Sequence, residues 1–430
     1  MSNMLNTFRS AWKISDLKKK IFFTIFMLLI FRLGSHIPVP GMNKAGLQGL
    51  MANGGAIFGF FDIVSGGAFE KATIFAMSIS PYINASIIIQ LLTVAIPRFE
   101  QLSKEGEEGR KVIAKITRYT TVVLAFLQAV GLTVGLRAYI YGGFSVLSFI
   151  TITLSFTAGT AFLMWLGEQI TEKGIGNGIS MLIFAGIVSR GPVGVAAIVV
   201  NFIQGNFGKG ILAYVSIAAV LVVFVAIIML VIWVQEAERR IPVQYAKRVV
   251  GRKMYGGQST HIPIKVNLAG VMPIIFAMSL VTIPSTIVAI VAPNSKNAFI
   301  QWLRNAPTTL SFAFFSAVLI IFFTFFYTYI QFNPIEVANN MKKNGGFIPG
   351  IRPGKPTSEY ISKILNKVTW FGALFLAIVQ FFPSIIGKLT NVGGVWFAGT
   401  SVLILVNVAL DTAKQIESQM IMRHYKGFLE

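Results

Sequence analysis

Ten runs of about 20 apolar residues, each long enough to cross a bilayer core as a helix, punctuate this chain. They lie near 21–37, 74–96, 119–138, 147–167, 179–202, 212–235, 268–292, 309–331, 369–387 and 393–412. The segments between them alternate in charge. If the chain starts inside, segments 1–20, 97–118, 168–178, 236–267, 332–368 and 413–430 are cytoplasmic and hold 28 of the 37 Lys and Arg residues. The outer segments hold six, and Arg32, Arg137 and Arg190 fall within the first, third and fifth runs. The positive-inside rule then predicts a multi-pass membrane protein with both termini in the cytoplasm.

Composition agrees. At 54% hydrophobic residues and a mean hydropathy of +0.70, the chain is too apolar for a soluble protein of 430 residues. The net charge of +21 sits in short loops beside the spans, which points to topology and anionic lipid. Nucleic-acid recognition by the isolated chain is disfavoured, because aromatic residues do not interleave with the basic ones. No cysteine is present, so disulfides, thiolate metal sites and thiol nucleophiles are excluded. His36, His261 and His424 stand far apart and share no metal-ligand spacing. The N-terminus is polar for 20 residues before a span-length run, so no cleavable signal peptide is expected.

The spans divide into two groups of five, 1–205 and 206–430. An odd number per group gives related halves opposite topology, which places a working pathway at their interface. Two cytoplasmic loops are long and basic. Loop 236–267 carries Arg239, Arg240, Lys247, Arg248, Arg252, Lys253 and Lys265. Its runs Val243–Val250 and Ser259–Val266, around Gly256-Gly257, predict a hairpin. Loop 332–368 carries Lys342, Lys343, Arg352, Lys355, Lys363 and Lys367. Pro and Gly are too dense over 345–356 for a helix there, so a stiff exposed loop should present Arg352. Solvated topology signals would account for most of these charges, but not for the loops' length and turn chemistry. Docking surfaces for a large cytosolic partner account for both.

Between the first two spans, residues 56–65 form an apolar stretch too short to span, ahead of the hinge Gly66-Gly67. Such a stretch reads as re-entrant or interfacial. If it enters the membrane it must be enclosed by protein or line a cavity. Asp62 and Glu70 flank the hinge and are the acidic residues of the outer side. An amphipathic helix lying on the outer surface is the plainer alternative. In the second span Asn84, Ser86 and Gln90 interrupt apolar sequence and would face a cavity or another helix. Ile83 and Ile87, four apart, share one face. From periodicity alone, ordinary helix packing is the favoured account. At the fifth span, Gly174-Ile175-Gly176-Asn177-Gly178 follows a membrane helix rather than a strand, so a tight inner turn is preferred to a nucleotide loop.

The stretches 78–92 and 165–180 closely resemble the two signature segments of the SecY/Sec61 family of protein-conducting channels. So do 32–41, 239–248, 266–273 and 349–354, in family order across essentially the whole chain. The resemblance implies an all-α membrane fold of ten helices, in two inverted five-helix halves around an hourglass pore. It carries the apolar waist ring to Ile83, Ile87, Ile179, Ile183, Ile275 and Ile404. It carries the plug to 57–67, with Phe58, Phe60, Phe61, Asp62, Ile63, Val64, Gly66 and Gly67. A lateral gate would open between spans two/three and seven/eight, with Gln90 and Asn267 as polar contacts biasing it closed. Arg239, Arg240, Lys247, Arg248 and Arg352 would dock the motor ATPase SecA or the ribosome. The family also implies SecE and SecG as membrane subunits, signal sequences and unfolded polypeptides as clients, and the bacterial plasma membrane as location.

Two rival classes make demands that the residues can answer. A small-solute secondary transporter should carry ionisable groups near the midplane. No acidic residue lies in a span interior here; Asp411 lies at the cytoplasmic end of the last span. An intramembrane enzyme finds neither a Cys, nor a mid-span His, nor a mid-span Asp pair. No cofactor, metal or small-molecule substrate is expected.

Overall fold

The structure is a computed structural model that describes residues 12, 14–44, 46–48, 62, 65–204, 211–245, 248–250, 253–255, 259–291, 297, 300–302, 310–390 and 399–426. Long helices follow the expected spans in order. They are α1 (Ser15–Gly34), α2 (Ser80–Ala95), α3 (Pro97–Lys104), α4 (Glu107–Gly135), α5 (Val146–Lys173), α6 (Gly178–Ser189), α7 (Gly191–Ile203) and α8 (Ile211–Glu236). After a small sheet come α9 (Met272–Val291), α10 (Leu310–Gln331), α11 (Pro334–Lys343), α12 (Lys355–Thr390) and α13 (Gly399–Lys426). Among the described residues, five helical stretches are individually long and apolar enough to cross a membrane, or six if the bent pair α2–α3 counts as one span.

Local chemistry sets the boundaries. Asn177 caps α6, its side-chain oxygen accepting from the Ile179 and Ser180 amides. Asn333 caps α11 in the same way, with Pro334 in the first turn and Lys342 and Lys343 in the last, where the helix dipole favours cations. Pro97 follows the junction at Ile96, where α2 and α3 meet at 100°.

The second span differs from the expected 74–96. Its helix begins only at Ser80, with Pro81 in the first turn. Residues 65–79 run through turns, with the non-glycine residues Ala72 and Ser78 at φ 49° and 53°. Left-handed residues of this kind end a helix. The turns are largely buried, and loop 37–42 pairs with part of their backbone. The Val39 amide donates to Ala72 O at 2.8 Å, and the Ile74 amide to Ile37 O at 3.1 Å. Phe75 stacks between Phe31 and Phe162, with centroids 6.1 and 6.0 Å away. Irregular backbone at this depth is tolerated because protein encloses it.

The cytoplasmic loops also differ from their expected form. β1 (Glu238–Tyr245) pairs antiparallel with β4 (Ser259–Lys265), while β2 (Arg248–Val250) pairs with β3 (Lys253–Tyr255). The hairpin thus begins five residues before Val243. Its innermost described pair is Val250 with Lys253, so the chain reverses before it reaches Gly256-Gly257. β5 (Gly346–Phe347) then pairs with β1, giving the order β4-β1-β5 and joining the two basic loops in one sheet. Ile241, Val243, Ile264, Met341, Ile348, Ile361 and Leu365 form their shared apolar core. Loop 332–368 is largely helical outside 344–354. Its C-terminal part is the start of α12, whose 36 residues give a rod roughly 54 Å long, well beyond a bilayer core.

Candidate functional site

Four helices, two from each group of five spans, contribute isoleucines to one apolar cluster. α2 presents Ile83 and Ile87, α6 presents Ile179 and Ile183, α9 presents Ile275 and α13 presents Ile404. All six belong to one apolar cluster: Ile83, Ile87, Ile183 and Ile404 are buried in it, and Ile179 and Ile275 pack against it partly exposed. Across the two groups α6 packs on α13, and α2 and α4 pack on α9. The two groups therefore pack on each other through two separate helix contacts. Branched aliphatic side chains make no hydrogen-bond demand, so the surface they form holds water poorly and binds no particular sequence.

The inner end of α6 is fixed by the glycine run 174–178. A Cβ at Gly178 would lie 1.8 Å from Gly167 O, so only glycine lets α5 and α6 approach this closely. The Ile175 amide donates to the Thr24 hydroxyl at 3.0 Å, and the Gly176 amide to Gln415 Oε1 at 2.6 Å. This turn ties α1, α6 and α13 together, so the glycines hold a junction of three spans.

The outer end of α6 carries what sequence reasoning missed. Arg190, directly after α6, is paired with both Asp62 and Glu70, the latter at 3.0 Å. Asp62 is 1% exposed. Its Oδ1 accepts from the Glu70 amide at 2.9 Å, and its carbonyl from the Gly67 amide at 2.9 Å. Arg32 Nη1 donates to Gly66 O at 3.0 Å, and the Ser189 hydroxyl lies 3.3 Å from the same oxygen. Gly66 and Gly67 have φ of 66° and 85°. A Cβ at Gly66 would stand 2.9 Å from Gly186 Cα. Nearby, Lys71 Nζ lies 3.0 Å from His36 Nε2, and partial burial, then the Arg32 and Lys44 charges, lower the Lys71 pKa. The available signal was Arg190 itself, a cation inside the apolar run 179–202, where an unpaired charge is costly.

Of the expected re-entrant segment, Asp62, Gly66 and Gly67 are placed as above; Phe58, Phe60, Phe61, Ile63 and Val64 lie outside the described residues. Gln90 on α2 has its Oε1 buried without a partner, as does the Oδ1 of Asn84. Asn267 donates to Gly270 O at 3.0 Å and leaves its own oxygen unpaired. Among the described residues no hydrogen bond joins Gln90 to Asn267. On the cytoplasmic face Arg239 and Arg240 are exposed on β1, Arg240 beside Glu238 at 2.7 Å. Arg352 is exposed at the turn before α12, where the Thr357 hydroxyl fixes its carbonyl at 2.8 Å. Arg248 lies in β2, and Lys247 is outside the described residues.

The SecY family model matches residues 73–413. The protein translocase subunit SecY of Halalkalibacterium halodurans is 48% identical over 99% of this chain and 100% of its own length. Among solved structures, a SecY whose plug domain is described as stabilising the closed state of the translocation channel has a TM-score of 0.64 at 18% identity, covering 94% of this chain and 92% of its own. The Sec61 of a canine ribosome–channel complex from the endoplasmic reticulum has a TM-score of 0.60 at 18% identity, covering 94% and 93%.

Proposed function

This chain belongs to the SecY family, and from that premise we propose how its parts pass a polypeptide across the membrane. The chain is a multi-pass membrane channel subunit of protein translocation, not an enzyme. The small-solute transporter alternative finds no support among its relatives.

One observation carries the assignment of the pore. Six isoleucines from four helices and both groups of spans converge in a single apolar cluster. Unpaired peptide groups cost several kcal/mol each in hydrocarbon, so a crossing chain needs an aqueous path. The same path would leak ions if it stayed wet. A collar of Ile83, Ile87, Ile179, Ile183, Ile275 and Ile404 closes it by dewetting and yields around any passing sequence. Segment 57–67 serves as the plug on the outer side of the collar. The halves 1–205 and 206–430 part along the seam where α2 and α4 meet α9. There a client's apolar segment leaves for lipid, gaining roughly 25 cal/mol per Å² of apolar surface withdrawn from water. Gln90 and Asn267 stand at that gate.

The joined basic loops form the cytoplasmic docking face. Arg239, Arg240, Lys247, Arg248 and Arg352 meet carboxylates of a motor such as SecA or phosphates of ribosomal RNA, which the guanidinium fork suits. SecE and SecG are the expected membrane partners, anionic lipid surrounds the basic loops, and both termini face the cytoplasm of a bacterial plasma membrane.

The absence of cysteine makes the test direct. Ile183→Cys or Ile404→Cys should form a disulfide with a single-cysteine client arrested in mid-transit, whereas Phe322→Cys, on an exposed face of α10, should not. Equal crosslinking at all three positions would refute the collar.

A further inference from the structure

We propose that Arg190 is a positioning residue that latches the base of the resting plug to the outer end of α6. This rests on the reading of 57–67 as the plug. Asp62 and Glu70 lie on either side of the Gly66-Gly67 hinge, and the Arg190 guanidinium pairs with both, so one cation spans the hinge. Arg32 from the first span donates to the Gly66 carbonyl between them at 3.0 Å. Two carboxylates and two guanidiniums converge, and their formal charges cancel. The carboxylate of Asp62 is buried, its Oδ1 accepting from the Glu70 amide and its Oδ2 paired with Arg190, so its seat is set by position as well as charge. The hinge glycines press against Gly186 and Arg190, which lets the base reach the end of α6 at all.

The same residues explain how such a latch releases and resets. α6 also carries Ile179 and Ile183 of the central cluster. A chain that spreads the collar moves α6, and with it the Ser189-Arg190 end that grips Asp62, Gly66 and Glu70. Collar opening and plug release are thereby coupled through one rigid helix. Once the base leaves, Arg190 and Arg32 lose their partners in a site shaped to hide them. Unpaired, partly buried charge is unfavourable, which draws the plug back when the client has passed.

The test uses the assembled channel in lipid, with Phe60→Cys and Ile404→Cys as a reporter of the seated plug. The latch predicts that Arg190→Gln weakens the resting crosslink and raises resting ion conductance about tenfold, within the range that coupling free energies span. Arg190→Lys, which keeps the charge, should recover most of both. Asp62→Asn removes the partner charge at equal volume and should match Arg190→Gln, which covers the case where the arginine variant does not assemble. Normal conductance and crosslinking in Arg190→Gln or Asp62→Asn, with the reporter crosslinked in the parent, would overturn the latch and leave the plug standing. A lysine variant as defective as glutamine would also overturn it, because packing rather than charge would be at work. Absence of the resting crosslink in the parent itself would remove the plug reading and the latch together.

Discussion

Replacing Gly66 by alanine puts the hinge geometry to a quantitative test. Gly66 sits at φ 66°, a conformation that costs a residue with a Cβ about 1 kcal/mol or more. The new Cβ would stand 2.8 Å from Ser189 Oγ, 2.9 Å from Gly186 Cα and 3.1 Å from Gly186 O. The serine can rotate, but the α6 backbone cannot yield, and overpacking of this kind typically costs 1–3 kcal/mol. The two terms together give about 3 kcal/mol against the seated hinge, roughly a hundredfold shift toward release. Displacement also lengthens the contacts of Arg32 and Ser189 with Gly66 O, so the effect has one sign throughout. Planar-bilayer recordings of the reconstituted channel should show higher resting conductance, and cells should export a reporter with a defective signal sequence. Gly142→Ala is the control: its φ is 74°, but its Cβ would meet nothing within 4 Å. It carries the conformational cost without the clash and lies away from the hinge. Gly66→Ala assembled at normal level, with conductance equal to that of Gly142→Ala, would refute the argument.

Three further predictions concern other parts of the molecule. Arg352→Glu should block motor-driven export while the channel still assembles; normal export in an in vitro translocation assay would remove Arg352 from the docking face. Ile264, fully buried in the core shared by both basic loops, should cost about 2–5 kcal/mol on truncation to alanine and expose both loops to trypsin together. Separate loosening of one loop alone would contradict the joint sheet. Gln90→Leu removes a buried carbonyl oxygen that finds no partner, a penalty of about 1–3 kcal/mol, and so should stabilise the closed seam and reduce export of clients with weakly hydrophobic signal sequences. Greater tolerance of such signals would show instead that Gln90 holds the gate shut by polar contacts.

The Gln90 case marks where sequence reasoning changes direction. A polar residue in an apolar span is visible in the sequence, and so is its cost in lipid. Whether its carbonyl is satisfied depends on helices far away in the chain. The ten spans were legible because span length follows directly from bilayer thickness, and their order follows from charge in the loops. The isoleucines were legible only through motif resemblance. Periodicity put Ile83 and Ile87 on one face, but nothing local to Ile275 or Ile404 says that they meet that face. That the two basic loops share a core was not legible, because density of charge conceals it: Ile241, Val243 and Ile264 alternate on strands, while Ile361 and Leu365 lie four apart on a helix extending from a span.

The outer ion pairs were hidden for a related reason. Counting Lys and Arg by side of the membrane treats each charge as solvated and independent, which suits topology. Arg32 and Arg190 then read as exceptions, cations within apolar runs that carry no acid to pair with them. Asp62 and Glu70 read as isolated acids. The structure resolves both oddities at once, since Arg190 pairs with both acids and Arg32 binds the carbonyl between them. A charge within an apolar run of a membrane protein is therefore informative in itself. Where its cost is offset by a buried partner on a separate segment, the pair fixes how that segment sits. Here the segment ends in two glycines with positive φ, and the cation sits on the helix that also lines the central cluster.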